Sequence, residues 1–242
     1  MPIPLSIRVK RIVKSEKFAA AMKRSLLLFY LFTFLPFLIS CTQDAYEKGE
    51  GELSTVVAEM ADGFTSSDKK VTRFITDDGE QFTVSNPFSS EMMPKADTVY
   101  RAIFYYAKDG DKAEVKGLNK VMAFSPHKID SMKTDPVKLE SVWMGKSRKY
   151  LNLSIYLRQG YTADDEAVQR IGCNRDTLYQ NADGTKTLRL TFYHNQGDVP
   201  EYYSQRTYVS IPLTGVDADS LWLTVNTYDG LVIRKLILEQ HE

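Results

Sequence analysis

Histidine, cysteine and tryptophan are scarce in this 242-residue chain, with three, two and two copies. Each scarcity closes off a kind of chemistry. No two histidines stand at metal-ligand spacing, and no run of cysteine pairs could hold a zinc ion, so no metal site is expected. The glycines are scattered singly rather than gathered into a phosphate-cradling loop, and no G-x-S-x-G elbow is present. No cofactor and no catalytic set are therefore expected, and the chain is read as non-enzymatic. The sharpest enzymatic alternative is a hydrolase site at His194, with Asp198 and Glu201 close in sequence. The plainer reading of that segment is a strand end followed by a polar turn.

The first forty residues differ from the rest. Lys23 and Arg24 precede an uncharged apolar run, Leu26 to Ile39, that ends in Leu38-Ile39-Ser40-Cys41. That length suits a signal-peptide core and falls short of a membrane-spanning helix. A small residue followed by cysteine is the shape of a bacterial lipobox, in which the thiol of Cys41 accepts the lipid. Residues 1–40 are thus expected to be an export signal, with Met22 the true start because it gives an ordinary short basic region. Seven of the 31 Lys and Arg and one of the 31 Asp and Glu lie in this segment, so residues 41–242 carry 24 basic and 30 acidic residues, a net charge of −6. This excess of acid argues against nucleic acid as a partner. It suits a body held at a membrane by acyl chains, each buried CH₂ contributing about 0.8 kcal/mol. The expected location is the cell envelope, anchored to the outer membrane at its periplasmic face or on the cell surface. If Cys41 is lipidated, Cys173 has no disulfide partner and reads as a small buried apolar residue.

Residues 41–52 read as an acidic, lipidated tether. Beyond it the chain is all β. Leu53–Met60, Val71–Thr76, Gln81–Ser85, Thr98–Ala107 and Ala113–Phe124 form five strand candidates within about 70 residues, with Asp77-Asp78-Gly79 and Asp109-Gly110-Asp111 as turns. Such density predicts a small OB-like barrel over residues 53–125. The proline-bearing stretch 125–136 reads as a connection. Residues 137–242 then hold Val137–Met144, Lys149–Arg158, Thr187–His194, Ser204–Leu213, Leu221–Tyr228 and Leu231–Leu238, an antiparallel β-sandwich pattern. A helix is entertained at Ala163–Ile171. Lys146-Ser147-Arg148-Lys149 reads as a solvated hairpin loop.

Aromatic side chains supply the remaining signal. Period-2 alternation on one strand puts Phe104 and Tyr106 on one face and Tyr105 on the other. Tyr105, Trp143, Tyr202 and Tyr203 are the candidates for a binding surface, for a protein or glycan partner, against the plainer reading that all four are packing residues.

The Leu-Ile-Ser-Cys lipobox, Phe74-Ile75-Thr76-Asp77-Asp78-Gly79, Tyr150-Leu151-Asn152-Leu153, Leu190–Gly197 and Leu221–Thr227 together resemble the NigD-like lipoproteins of the Bacteroidales. The resemblance implies an amino-terminal OB-like domain, a carboxy-terminal β-sandwich and a bacteriocin-immunity or accessory role. It carries over no catalytic residues.

Overall fold

The computed structural model describes residues 55–161 and 167–238. Every regular element among them is a strand. The first five are β1 (Val56–Thr65), β2 (Val71–Thr76), β3 (Gln81–Phe88), β4 (Val99–Asp109) and β5 (Lys112–Ala123). They run in the order β3-β2-β1-β4-β5, and a parallel pairing of Thr83 and Val84 with Lys112 and Ala113 closes the ring. This is the strand order of an OB-type barrel. The turn at Asp77-Asp78-Gly79 closes because Gly79 takes a φ of 89°, a conformation that strains any residue with a side chain but not glycine. Inside, Phe74 stacks on Phe104 with ring centroids 4.5 Å apart, and Tyr106 meets Phe74 edge-on at 4.9 Å. Phe82, Val71, Val84 and Met93 complete the filling, all buried. The alternation expected for Phe104 and Tyr106 is present: both point inward, while Tyr105 faces out, half-buried.

The remaining strands are β6 (Lys138–Trp143), β7 (Tyr150–Gln159), β8 (Arg170–Gln180), β9 (Lys186–Asn195), β10 (Tyr203–Pro212), β11 (Ser220–Thr227) and β12 (Gly230–Ile237). They form two sheets. One has the order β10-β7-β6 and continues into the barrel, because Tyr208–Ser210 of β10 pair in parallel with Val121–Ala123 at the end of β5. The other has the order β12-β11-β9-β8. Between them lies an apolar core. Leu151, Leu153, Ile155 and Leu157 of β7 face Leu188, Leu190 and Phe192 of β9 and Leu221, Leu223 and Val225 of β11. Burial of one such side chain contributes about 1.5–3 kcal/mol. The all-β class and the sandwich read from sequence are what the structure shows, but the sandwich is not wholly antiparallel, since β11 pairs with β9 in parallel.

The connection after β5 is not a free linker. Isolated bridges tie His127 to Asn174, Thr134 to His194 and Val137 to Thr227, so the segment runs along the second sheet. The helix entertained at Ala163–Ile171 is not formed over its described residues. Val168 and Gln169 are irregular, and Arg170 and Ile171 already pair with Asn195 and His194 in the β8–β9 ladder. The partner strand β9 takes these residues into a sheet, overriding a weak local preference. Residues 163–166 of that segment lie outside the described residues, as do the export signal, Cys41 and the tether to residue 54.

Gly63 of β1 shows how tightly the barrel is filled. A Cβ there would come within 2.5 Å of Phe104 Cζ. Gly63→Ala should therefore destabilise the protein by about 1–3 kcal/mol, the usual cost of overpacking. In a Phe104→Leu background the same change should cost far less. Chemical denaturation of the four proteins in this double-mutant cycle measures the coupling, and additive costs would show that the two positions do not meet.

Candidate functional site

Tyr105 and Trp143, two of the four aromatic candidates, line the same groove. On the outer wall of the barrel, Ala58 pairs with Tyr105 and Met60 with Ile103. Met60, Ile103 and Val121 form a small buried apolar cluster, and Tyr105, Trp143 and Tyr208 pack on it half-buried. Trp143 arrives from the end of β6 and Tyr208 from β10. The result is an open cavity of about 360 Å³ between barrel and sandwich, rimmed by Asp77, Asp78, Met144 and Gly145. Aromatic walls, an apolar floor and a polar rim are the usual make-up of a ligand pocket.

A polar knot at the same junction fixes the groove's shape. Arg101 of β4 stands opposite Asp62 of β1 in the ladder, and both are nearly inaccessible, with side-chain exposures of 4% and 5%. Arg101 Nη2 donates to Asp77 Oδ2 at 2.5 Å and to Asn152 Oδ1 at 3.2 Å, and its Nε donates to Ser210 Oγ at 3.0 Å. Asn152 Nδ2 donates to the same Asp77 oxygen at 2.6 Å, and Ser210 Oγ donates to Asn152 Oδ1 at 2.7 Å. Lys149 Nζ donates to Asp62 Oδ2, and the Arg101 guanidinium lies 4.0 Å over the Tyr150 ring. Two aspartates, one arginine and one lysine thus share one junction, with charges balanced. The hydrogen bond to Asp62 raises the Lys149 pKa above its usual value, and burial raises that of Tyr150. Asp62 Oδ1 and Arg101 Nη1 face each other at 3.6 Å as an ion pair with no hydrogen bond to either atom.

The loop between β6 and β7 is part of this junction. Ser147 N donates to Asp77 O at 2.9 Å, Lys146 N to Asp78 Oδ1 at 3.0 Å, and Lys146 Nζ pairs with Asp78 Oδ2 at 3.0 Å. Gly145 is required here, since a Cβ would sit 2.5–2.7 Å from Asp77 Cβ, C and O. Lys146-Ser147-Arg148-Lys149 is the solvated hairpin loop read from sequence, with Lys146, Ser147 and Lys149 exposed. Its backbone is tied down, and the loop docks on the β2–β3 turn because the carboxylates there need cations and donors.

Tyr202 and Tyr203 do not join the groove. They are exposed at the far end of β10, about 16 Å along the strand from Tyr208. His194 is buried, with both ring nitrogens engaged: Nδ1 lies 2.9 Å from Asp135 O and Nε2 lies 3.0 Å from Gln169 Nε2. The ring clamps the connecting segment to β9 and presents no free nitrogen to solvent. Cys173 is fully buried, and burial pushes its thiol pKa far up, so it stays protonated. Among the described residues no group of three or more His, Cys, Asp or Glu could hold a metal ion. Sequence reasoning does not find Arg101, Asp62, Asn152 and Ser210. The signal available for two of them is a charge in mid-strand on each of two neighbouring strands, Asp62 within VVAEMADGFT and Arg101 within VYRAIFYYAKD.

The fold defines an all-β class, an OB-like barrel joined to a β-sandwich. Residues 120–235, just under half of the chain, match the NigD-like C-terminal beta sandwich domain, which places that segment in the NigD-like family. Solved structures share the whole layout. A NigD-like immunity protein of Bacteroides caccae superposes with a TM-score of 0.56 at 21% identity, over 76% of this chain and 98% of that one. A Bacteroides vulgatus protein of unknown function, DUF1344, gives 0.59 at 14% identity, over 77% and 92%. A provisionally named lipoprotein of Bacteroides fragilis gives 0.56 at 10% identity, over 77% and 99%. At such identities the likeness is one of fold. No curated protein matches the chain.

Removing Arg101 leaves Asp77 without its cation at the junction and Asp62 with Lys149 alone. Arg101→Met should cost about 3–5 kcal/mol, the usual penalty for breaking a buried ion pair. Lys146→Ala, which removes an exposed pair, should shift the denaturation midpoint little. Equal effects in urea melts would show that the knot bears no weight.

Proposed function

We propose that this protein is a lipid-anchored envelope protein that binds a protein or glycan partner non-enzymatically through the groove of Tyr105 and Trp143. The observation that carries this reading is the groove: three half-buried rings on an apolar floor, held open by a charge-balanced knot. Rings of this kind stack on sugar faces or take apolar side chains, and fixed walls keep the ordering cost of binding low. In this reading the OB-like part spans residues 53–125, the sandwich spans 137–242, and Cys41 carries the acyl chains that hold both at the outer membrane. No helix among the described residues is long and apolar enough to cross a membrane. The lipoprotein name of the Bacteroides fragilis neighbour supports an envelope location.

A second reading, an immunity or accessory protein, is favoured by one finding: the structural neighbour from Bacteroides caccae is called a NigD-like immunity protein and matches over both halves. Loss of the gene would then sensitise the cell to a toxin encoded nearby.

The binding reading is tested by affinity capture from envelope fractions with the full-length lipidated protein. A partner protein or glycan should be recovered, and Tyr105→Ala with Trp143→Ala should lower recovery at least tenfold, while Tyr202→Ala should not. Recovery of nothing, or equal recovery by the groove variant, would contradict it.

A further inference from the structure

The β12-β11-β9-β8 sheet carries a second surface that the groove does not use. Leu221, Leu223 and Val225 of β11 point into the core, so Ser220, Trp222, Thr224 and Asn226 point out. Register places Lys235 of β12 and Arg189 of β9 beside Trp222, and Ile233 and Leu231 beside Thr224 and Asn226. The side chains form a ladder across four strands. Lys235 Nζ lies 4.1 Å from the Trp222 ring centroid, Arg189 Cζ lies 5.1 Å from it on β9, and the same Arg189 reaches the Tyr179 ring of β8 at 5.4 Å. Along the outer edge Leu231, Ile233 and Ile237 are 73%, 52% and 70% exposed. Among the described residues neither Arg189 nor Lys235 forms an ion pair. The carboxylate of Asp176, on β8 with Tyr179, is already bonded by Asn174 and Thr191.

We propose that this face of β9, β11 and β12 lies on an anionic lipid surface, with Trp222 at the headgroup level, Leu231, Ile233 and Ile237 in the acyl boundary, and Arg189 and Lys235 on lipid phosphates. Charge complementarity carries the choice of partner. Residues 41–242 are acidic overall at −6, yet this face presents uncompensated cations. Indole and phenol rings between long cations, beside exposed aliphatic side chains, match the interfacial zone of a bilayer. The proposal rests on the envelope reading. From Cys41 to Thr55 the chain spans 14 residues, at most about 50 Å, so a face with weak intrinsic affinity would still find the bilayer at high effective concentration.

The test uses the full chain with Trp143→Phe, which leaves Trp222 as its one tryptophan. It is mixed with vesicles of phosphatidylglycerol and dibrominated phosphatidylcholine, or of phosphatidylcholine alone at the same bromine content. Trp222 fluorescence should fall at least twofold on the anionic vesicles and change little on the neutral ones. Arg189→Gln with Lys235→Gln should weaken the quenching partition about thirtyfold, the combined effect of taking two cations away from an anionic surface, and Ile233→Glu should abolish it. Co-flotation with unquenched Trp222 would overturn the proposal while leaving the anchor intact. So would shielding of Trp222 from acrylamide without lipid, which would mean that a protein surface covers the face. Failure of the anchor itself would appear separately, as a native mass lacking acyl chains on Cys41.

Discussion

One buried arginine holds the two halves of this fold in register. Arg101 belongs to the barrel, but its hydrogen-bond partners Asn152 and Ser210 belong to the sandwich, and a third partner, Asp77, sits on the barrel's own β2–β3 turn. A guanidinium at 4% exposure is tolerable only when its charge is matched and its donors are engaged. That demand fixes where β7 and β10 pass the barrel wall, and hence the positions of Trp143 and Tyr208 relative to Tyr105. The groove follows from the knot, since its apolar floor lies on the same strands: Met60 is two residues from Asp62, and Ile103 two from Arg101.

Such a knot adds little net stability compared with an apolar junction of the same shape, because desolvation offsets most of the attraction. Its effect is on geometry. A purely apolar interface between barrel and sandwich could slide, whereas the directional hydrogen bonds of Arg101 and the close approach of Gly145 to Asp77 allow one arrangement. A groove formed between barrel and sandwich needs that constraint more than either part alone does.

Much of the fold is legible in the sequence because β patterning is local. Asp-Gly turns and alternating aromatic positions mark the barrel, and TLRLTFYH and LWLTVNTY mark core strands of the sandwich. What sequence does not supply is long-range. The closure of β3 on β5 and the run of β5 into β10 join residues far apart in the chain. The same holds for the site. Tyr105 and Trp143 read as separate aromatics, and nothing local places them in one cavity. Arg101 and Asp62 read as ordinary strand charges until pairing puts them opposite each other. The start of β8 at Arg170 is illegible because its strand character comes from β9 rather than from its own residues.

Barrel and sandwich are welded into one cooperative unit at Arg101. Differential scanning calorimetry of the mature chain tests this most directly, by comparing the calorimetric with the van't Hoff enthalpy of unfolding. One transition with a ratio near unity is expected, while two resolved transitions, barrel and sandwich melting apart, would contradict it.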